Sequence, residues 1–141
     1  MTIPDLVVGR KVRLRHLGAA DLPALHQLAI DPDVRTTWRT RGDLWSFAQF
    51  EQHVAGDPQV ALVATVLDDD RPLVLLELHD VDLIDARAQL GVLAQPSAWA
   101  AGVAAEATAL FARFAFDSLP LQKLACTVQA TNRRAEPALR R

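Results

Sequence analysis

Several short segments alternate apolar and polar residues, which is the period-2 pattern of half-buried β-strands. In the segment 11–17, for example, Val12, Leu14 and His16 fall on one side of the chain and basic residues on the other. The runs 60–67 and 73–78 flank a polar segment of hairpin length, so they should pair antiparallel. The predicted strands are residues 11–17, 60–67, 73–78, 89–93 and 123–128.

Three other segments place apolar residues at helical spacing. The first covers 21–30, where Asp21 is a candidate N-cap and Pro23 stands in the first turn. The second begins near Trp45 and ends at Gly56, and its aromatic residues are expected in the core. The third reaches about residue 119, and its apolar stripe consists of Val103, Ala107, Leu110, Phe111 and Phe114.

The order of these elements is strand, helix, helix, three strands, long helix, strand, and a short helical or irregular tail from Asn132. Antiparallel strands come first, and a strand-helix-strand crossover comes late. This order indicates an α+β (mixed α/β) fold. The chain has 141 residues, which is the size of one domain.

The composition excludes several classes of function. Half of the residues are hydrophobic and the formal net charge is −2, which excludes a disordered acidic segment and a basic nucleic-acid-binding domain. No apolar run reaches membrane-spanning length and no signal-type start is present, so we expect no membrane partner and a cytoplasmic location. The single cysteine, Cys126, cannot form an internal disulfide and is expected to be buried.

The side chains also argue against several chemistries. His16, His26 and His53 fall on separate elements without cysteine or histidine at metal-ligand spacing, so we expect surface histidines and no metal site. The sequence lacks a phosphate-binding P-loop, a Gly-x-Ser-x-Gly elbow and a Cys-x-x-Cys pair. Hydrolase, nucleotidase and thiol-redox activities are therefore without support.

The segment 99–107, Trp-Ala-Ala-Gly-Val-Ala-Ala-Glu-Ala, connects a strand to the long helix. A strand that ends in a glycine-containing turn and enters a helix presents free backbone N–H groups at the positive end of the helix dipole. Such a site suits a phosphate group. An alanine-rich core helix with one tolerated glycine fits the same residues, and this segment alone does not decide between the two.

Taken in this order, the sequence resembles the GNAT superfamily of acetyl-CoA-dependent N-acetyltransferases, and in particular its branch that acts on ribosomal-protein N-termini. The opening Val-Arg-Leu-Arg at 12–15, followed by a helix with an acidic cap and an Asp-Pro turn at 31–32, is similar to the start of that branch. The resemblance covers nearly the whole chain. The family's cofactor motif, Trp-Gly-x-Gly-x-Ala-x-Glu-Ala after a strand, is matched by Trp99, Gly102, Ala104, Glu106 and Ala107.

The resemblance implies a three-layer fold with a mostly antiparallel twisted sheet, helices on both faces, and a V-shaped split between two strands that holds acetyl-CoA. It further implies that backbone amides of residues 99–104 hold the pyrophosphate, while residues 93–94 and Asn132 lie beside the pantetheine arm. Glu106 belongs to the motif, although an acid early in a helix also complements the dipole. The implied cofactor-binding residues are Leu93, Ala94, Trp99, Ala100, Ala101, Gly102, Val103, Ala104 and Asn132.

The chain departs from the family pattern at three places. Ala100 and Ala101 stand where the family usually has a basic residue or glutamine, so phosphate binding would rest on backbone dipoles. The third residue after Asn132 is Ala135 instead of serine, and the chain contains no tyrosine that could protonate the leaving thiolate. The family normally continues with two further strands, so we expect a domain over 1–141 that lacks them, or a second chain that completes the sheet.

Acetylation of an amine requires a group that accepts its proton. Strand alternation places Glu77 and His79 on one face of the strand at 73–80, and these two residues are the candidate catalytic bases. An edge-strand charge and a hairpin histidine would produce the same pattern. The nearby Asp80, Asp82 and Asp85 are expected to be solvated loop charges.

The sequence therefore predicts transfer of an acetyl group from acetyl-CoA to a primary amine, either a peptide N-terminus or a small molecule. The loop at 35–43, which contains Trp38, is expected to form part of the acceptor wall. Two alternatives stay open: a degenerate domain that binds CoA or a partner without catalysis, and a structural module that forms a homodimer through an unpaired sheet edge.

Overall fold

The computed structural model describes residues 3–34, 44–56 and 58–126. The strands are β1 (Asp5–Val8), β2 (Val12–His16), β3 (Val60–Val66), β4 (Val74–Asp82), β5 (Arg87–Ala94) and β6 (Lys123–Cys126). The helices are α1 (Leu22–Ala29), α2 (Phe47–Gly56), α3 (Pro96–Ala100) and α4 (Val103–Ser118), and a 3-10 turn, Ala19–Asp21, precedes α1. The predicted loop at 35–43, strand residues 127–128, Asn132 and Ala135 lie outside the described residues.

The six described strands form one sheet in the order β1-β2-β3-β4-β5-β6. Each neighbouring pair from β1 to β5 is antiparallel, including the predicted β3–β4 hairpin. β5 and β6 are parallel, because the chain crosses back through α4 between them. The sheet and its helices confirm the α+β fold class predicted from the sequence.

The parallel pairing covers only the first half of β5. Its register joins Arg87 to Lys123 and continues to the pair Leu90 and Cys126. Residues 91–94 of β5 pair with β4 alone among the described residues. The second half of β5 therefore has one edge without a described strand partner, and this edge leads directly into α3.

Helices cover both faces of the sheet, which gives three layers. On one face α4 contributes Ala107 and Phe111 to a core with Leu14 and Leu76 of the sheet. On the other face α1 and α2 contribute residues such as Leu25 and Phe50 to a separate core. The predicted apolar stripe of the long helix is thus confirmed as a core-facing stripe.

The alternation in β2 suggests that its polar side faces solvent, but in the structure this side is largely covered. Arg15 is only 2% exposed and binds both carboxylate oxygens of Asp21, at 2.8 and 2.9 Å. Asp21 precedes α1 as predicted, but its side chain makes no capping bond to the helix. It also accepts the backbone N–H of Gly18 at 2.8 Å. The residue is thus part of a buried ion pair that joins β2 to the start of α1.

Other predictions need correction as well. The alternation in β1 is too short to be recognised, and this edge strand was not predicted. Trp45 lies before α2 and Phe47 is 40% exposed, so only Phe50 among these aromatic residues is fully buried. Asp80 and Asp82 belong to the irregular end of β4 instead of a loop. Of the three histidines predicted at the surface, His26 is buried and His53 is nearly so.

Candidate functional site

The segment between β5 and the long helix contains two helices instead of the single one predicted. α3 covers Pro96–Ala100, and α4 begins only at Val103. Gly102, between them, has a φ of 79°, in the left-handed region that glycine adopts without steric cost. The left-handed residue Gly102 separates α3 from α4 and gives α4 its own N-terminus. The glycine is therefore required by the turn and is not a tolerated member of a continuous helix.

The N–H groups of this segment divide into two sets. Those of Trp99, Ala101 and Gly102 donate to carbonyl oxygens of Gln95, Ser97 and Trp99, within α3 and its terminal turn. The N–H groups of residues 103–105 form the first turn of α4, and none of the three bonds to a described residue. The free donors are therefore concentrated at 103–105, at the positive end of a 16-residue helix.

Lys11, from the loop before β2, lies beside this helix start. Its Nζ donates to the carbonyl oxygen of Ala101 at 3.3 Å, and it lies 3.4 Å from the position that a Cβ on Gly102 would occupy. Sequence analysis placed Lys11 only on the polar side of a strand. The fold thus supplies the basic group that is missing at Ala100 and Ala101, from a residue 90 positions away in the sequence.

Glu106 fixes Lys11 in this place. Its Oε2 accepts the backbone N–H groups of Lys11 and Val12, at 2.8 and 2.9 Å. Gly9 makes the close approach possible, because a Cβ there would come within 2.8 Å of the same oxygen and 2.6 Å of Leu110. Glu106 therefore lies in the first turn of α4, where an acid complements the dipole, and also joins α4 to β2.

Leu93 and Ala94 end β5 immediately before α3 and are both buried. Leu93 belongs to the core on the α1–α2 face, whereas Ala94 belongs to the core on the α4 face. Their side chains are thus used in packing. At these two residues β5 pairs with β4 on one edge and with no described strand on the other. A ligand that lies along this second edge would therefore meet main-chain groups only. Asn132, predicted to assist them, lies outside the described residues.

Glu77 is fully buried near the middle of β4, on the α1–α2 face of the sheet. Its Cα partner on β5 is Gly91, so β5 has no side chain beside the carboxylate at that position. Its Oε2 lies 3.2 Å from Nε2 of His53 on α2. His79 follows on the same face of β4, but its Nδ1 bonds to Asp80 at 3.1 Å. The structure therefore brings Glu77 to His53, a residue that sequence analysis assigned to the surface.

A surface cavity adjoins His53. Trp45, Gln49, Gln52, His53 and Gly56 line a space of about 480 Å³ at α2. The rings of Trp45 and His53 lie 4.7 Å apart, and the side chain of His53 is 8% exposed. The imidazole is thus held between an aromatic ring and a buried carboxylate. The cavity could not be predicted, because it depends on how α2 lies on the sheet.

Within 3–34, 44–56 and 58–126, no three histidine, cysteine or acidic side chains come together in a group that could hold a metal ion. None of the helices in these ranges combines the length and apolarity needed to cross a bilayer.

Together, these elements give an α+β protein in which β5 leads into a turn with free backbone donors beside Lys11. Residues 11–141 match the acetyltransferase (GNAT) domain family. The chain therefore belongs to the GNAT acetyltransferases. Among curated proteins, none matches the sequence significantly.

Solved structures show the same fold. A spermidine N-acetyltransferase from Vibrio cholerae, in complex with CoA and spermine, is 20% identical with a TM-score of 0.78, covering 92% of this chain and 78% of that one. A GNAT-family acetyltransferase from Bacillus anthracis is 16% identical with a TM-score of 0.77, covering 99% and 81%. The aminoglycoside acetyltransferase AAC(6')-Ib, in complex with coenzyme A, is 14% identical with a TM-score of 0.74, covering 92% and 81%.

Proposed function

We propose that the protein transfers an acetyl group from acetyl-CoA to a primary amine, and that residues 1–141 act as one domain in doing so. The observation that carries the proposal is the left-handed turn at Gly102, which leaves three N–H donors at the start of α4 beside the ammonium group of Lys11. A diphosphate is the ligand that suits these groups, because backbone donors and a nearby cation both favour it.

The donor set fits the CoA portion of the co-substrate. In this proposal the N–H groups of residues 103–105 and Lys11 hold the pyrophosphate, while Gly102 with Trp99, Ala100 and Ala101 shapes the turn. The main chain of Leu93 and Ala94 lies beside the pantetheine arm, together with Asn132 from beyond the described residues. The second half of β5 supports this assignment, since its outer edge has no described strand partner.

The chemistry of the proposal centres on Glu77. The amine nitrogen attacks the thioester carbonyl carbon, the C–S bond breaks, and the carboxylate of Glu77 takes the amine proton. Because Gly91 faces Glu77 across the strand pair, no β5 side chain stands beside the carboxylate. His79 is the second candidate base. It lies on the same face of β4 as Glu77, but its ring is hydrogen-bonded to Asp80.

The acceptor is a primary amine of a peptide N-terminus, as in the ribosomal-protein branch, or of a small molecule. Structural neighbours include a spermidine and an aminoglycoside acetyltransferase, which favours testing small cationic amines first. A domain that binds CoA without catalysis is the second candidate, favoured by the absence of tyrosine from the chain. A dimer through an unpaired sheet edge is compatible with either role.

The test is calorimetry with acetyl-CoA and with CoA, followed by thiol release with spermidine, paromomycin and an N-terminal peptide as acceptors. We expect binding of both cofactor forms at sub-millimolar concentration and turnover with at least one amine. An absence of binding would reject the acetyl-CoA site. Binding without turnover on any of the three amines would favour the non-catalytic candidate, and sedimentation of the same sample reports whether a dimer forms.

A further inference from the structure

The contact between His53 and Glu77 joins two elements that the sequence separates by 24 residues. Nε2 of His53 on α2 lies 3.2 Å from Oε2 of Glu77 on β4, and no part of Glu77 is exposed to solvent. A charged carboxylate loses its hydration when it is buried, unless hydrogen bonds replace the lost water. An N–H donor at this distance supplies such a bond, so His53 replaces part of the hydration that the Glu77 carboxylate loses.

The orientation of His53 is fixed on its other side. Trp45 packs against the imidazole, with 4.7 Å between the ring centres, and the two rings form one wall of the cavity at α2. An imidazole held in this way has little freedom to turn. The hydrogen bond from its Nε2 therefore also sets the position of the Glu77 carboxylate.

Two other titratable side chains lie on the elements around this pair. His26 on α1 donates from Nε2 to the carbonyl oxygen of Trp45 at 2.8 Å, and its ring packs against Phe47 and Phe50. His79 follows Glu77 on the same face of β4 and bonds to Asp80. Neither contact includes the Glu77 carboxylate. Among the described histidines, His53 is the one that bonds to the proposed base.

We propose that His53 is a positioning residue for Glu77, a role that rests on the proposed acetyltransferase function. With its proton on Nε2, the imidazole donates to Oε2 and holds the carboxylate in one orientation. Glu77 receives the amine proton as the N–C bond forms and the C–S bond breaks. The thiolate is neutralised by the proton that Glu77 releases as the products leave, and His53 keeps its own proton throughout.

The test compares His53→Ala with His53→Gln, because the side-chain amide of glutamine can replace an Nε2–H donor. We expect His53→Ala to lower kcat about 10- to 100-fold, the effect of losing a hydrogen bond to a charged group. His53→Gln should recover most of kcat, and the Kd for acetyl-CoA should stay unchanged in both variants.

His26→Gln is the matched control, because it makes the same change in the same cluster without touching Glu77. It should retain kcat and the Kd for acetyl-CoA. In the unchanged protein, nitrogen chemical shifts of the imidazoles should show the proton of His53 on Nε2, whether or not an amine substrate is present. This measurement tests the proposed role of His53 even if His53→Ala fails to fold.

Each outcome separates this inference from the proposed function. Wild-type kcat in His53→Ala, an equal loss in His53→Gln, or a proton on Nδ1 would overturn the role of His53 while acetyl transfer itself stands. A wild-type protein that binds acetyl-CoA but acetylates none of the three amines would reject Glu77 as a base, and the role of His53 with it.

Discussion

The ammonium group of Lys11 donates a hydrogen bond to the carbonyl oxygen of Ala101, at 3.3 Å, and so places a positive charge beside the turn at Gly102. The contact links a loop near the start of the chain with the end of α3. Carbonyl oxygens at a helix C-terminus attract cations, while the N–H groups at the start of α4 attract anions. Lys11 lies where the two helix ends meet, so it can satisfy a carbonyl in the free protein and a phosphate in the complex.

We predict that Lys11→Gln weakens acetyl-CoA binding about 3- to 10-fold, because one exposed ammonium group contributes about 1 kcal/mol to a phosphate contact. Calorimetry measures the change, and the difference from wild type should shrink in high salt as the charge is screened. Lys123→Gln is the matched control, since Lys123 is the only other lysine and begins β6. A loss of equal size in the control would mean that net charge, and not position, determines affinity.

Gly102→Glu should abolish cofactor binding. The substitution places a side chain in the left-handed region and brings a negative charge to the helix start, where the proposal puts the pyrophosphate. Gly102→Ala separates the two effects, because it keeps the strain of about 1 to 2 kcal/mol but adds no charge. Chemical unfolding measures that strain and calorimetry the binding.

Gly56→Glu is the control for this prediction, because a Cβ at Gly56 meets no atom within 4 Å. It should bind acetyl-CoA as wild type does. Binding that survives in Gly102→Glu would show that the turn is not the phosphate site, whatever the variant's stability.

Much of the fold could be predicted, because local periodicity determines it. The alternation around Leu14 and the stripe through Phe111 both identify core faces, and both are confirmed. The sequence left Gly102 open between a turn and a tolerated helix residue, because the break between α3 and α4 lies in an alanine-rich segment without a local stop signal.

The site depends on contacts that no local pattern encodes. Lys11 reaches Ala101 only because Glu106 binds the backbone of β2, and His53 reaches Glu77 only because α2 lies across the sheet. The burial of Arg15 has the same origin, since the carboxylate of Asp21 neutralises an arginine that alternation alone assigns to solvent. Side chains that meet across elements were thus the part that sequence analysis missed.

Stability should fall in acid as the Arg15–Asp21 pair is lost. Burial raises the pKa of Asp21. The hydrogen bonds from Arg15 and from the Gly18 N–H together lower it by more than burial raises it, so the pKa lies below its ordinary value. The bond to Asp21 raises the pKa of Arg15, despite some desolvation, and the arginine stays charged throughout. The contribution of Asp21 is therefore complete above its unfolded pKa of about 4 and declines as the pH falls through the lower folded value.

Asp21→Asn should lower the free energy of unfolding at pH 7 by about 3 kcal/mol, because it breaks a buried pair and leaves Arg15 with the exposed Asp70. Urea unfolding at several pH values measures this, and the deficit of the variant should shrink in acid. Asp117→Asn, an exposed change on α4, should have little effect on stability. A deficit that is constant down to pH 2 would show that the ion pair is not its source.

The burial of Glu77 makes its substitution the most direct test of catalysis. Glu77→Gln preserves the shape and can still accept a hydrogen bond from His53, but the neutral amide cannot take a proton. We expect kcat to fall by about 100-fold or more, the usual contribution of a general base, with the Kd for acetyl-CoA unchanged. Glu51→Gln, an exposed change on α2, should leave both values as they are. Wild-type kcat in Glu77→Gln would remove Glu77 from the mechanism and leave His79 as the candidate base on that face of β4.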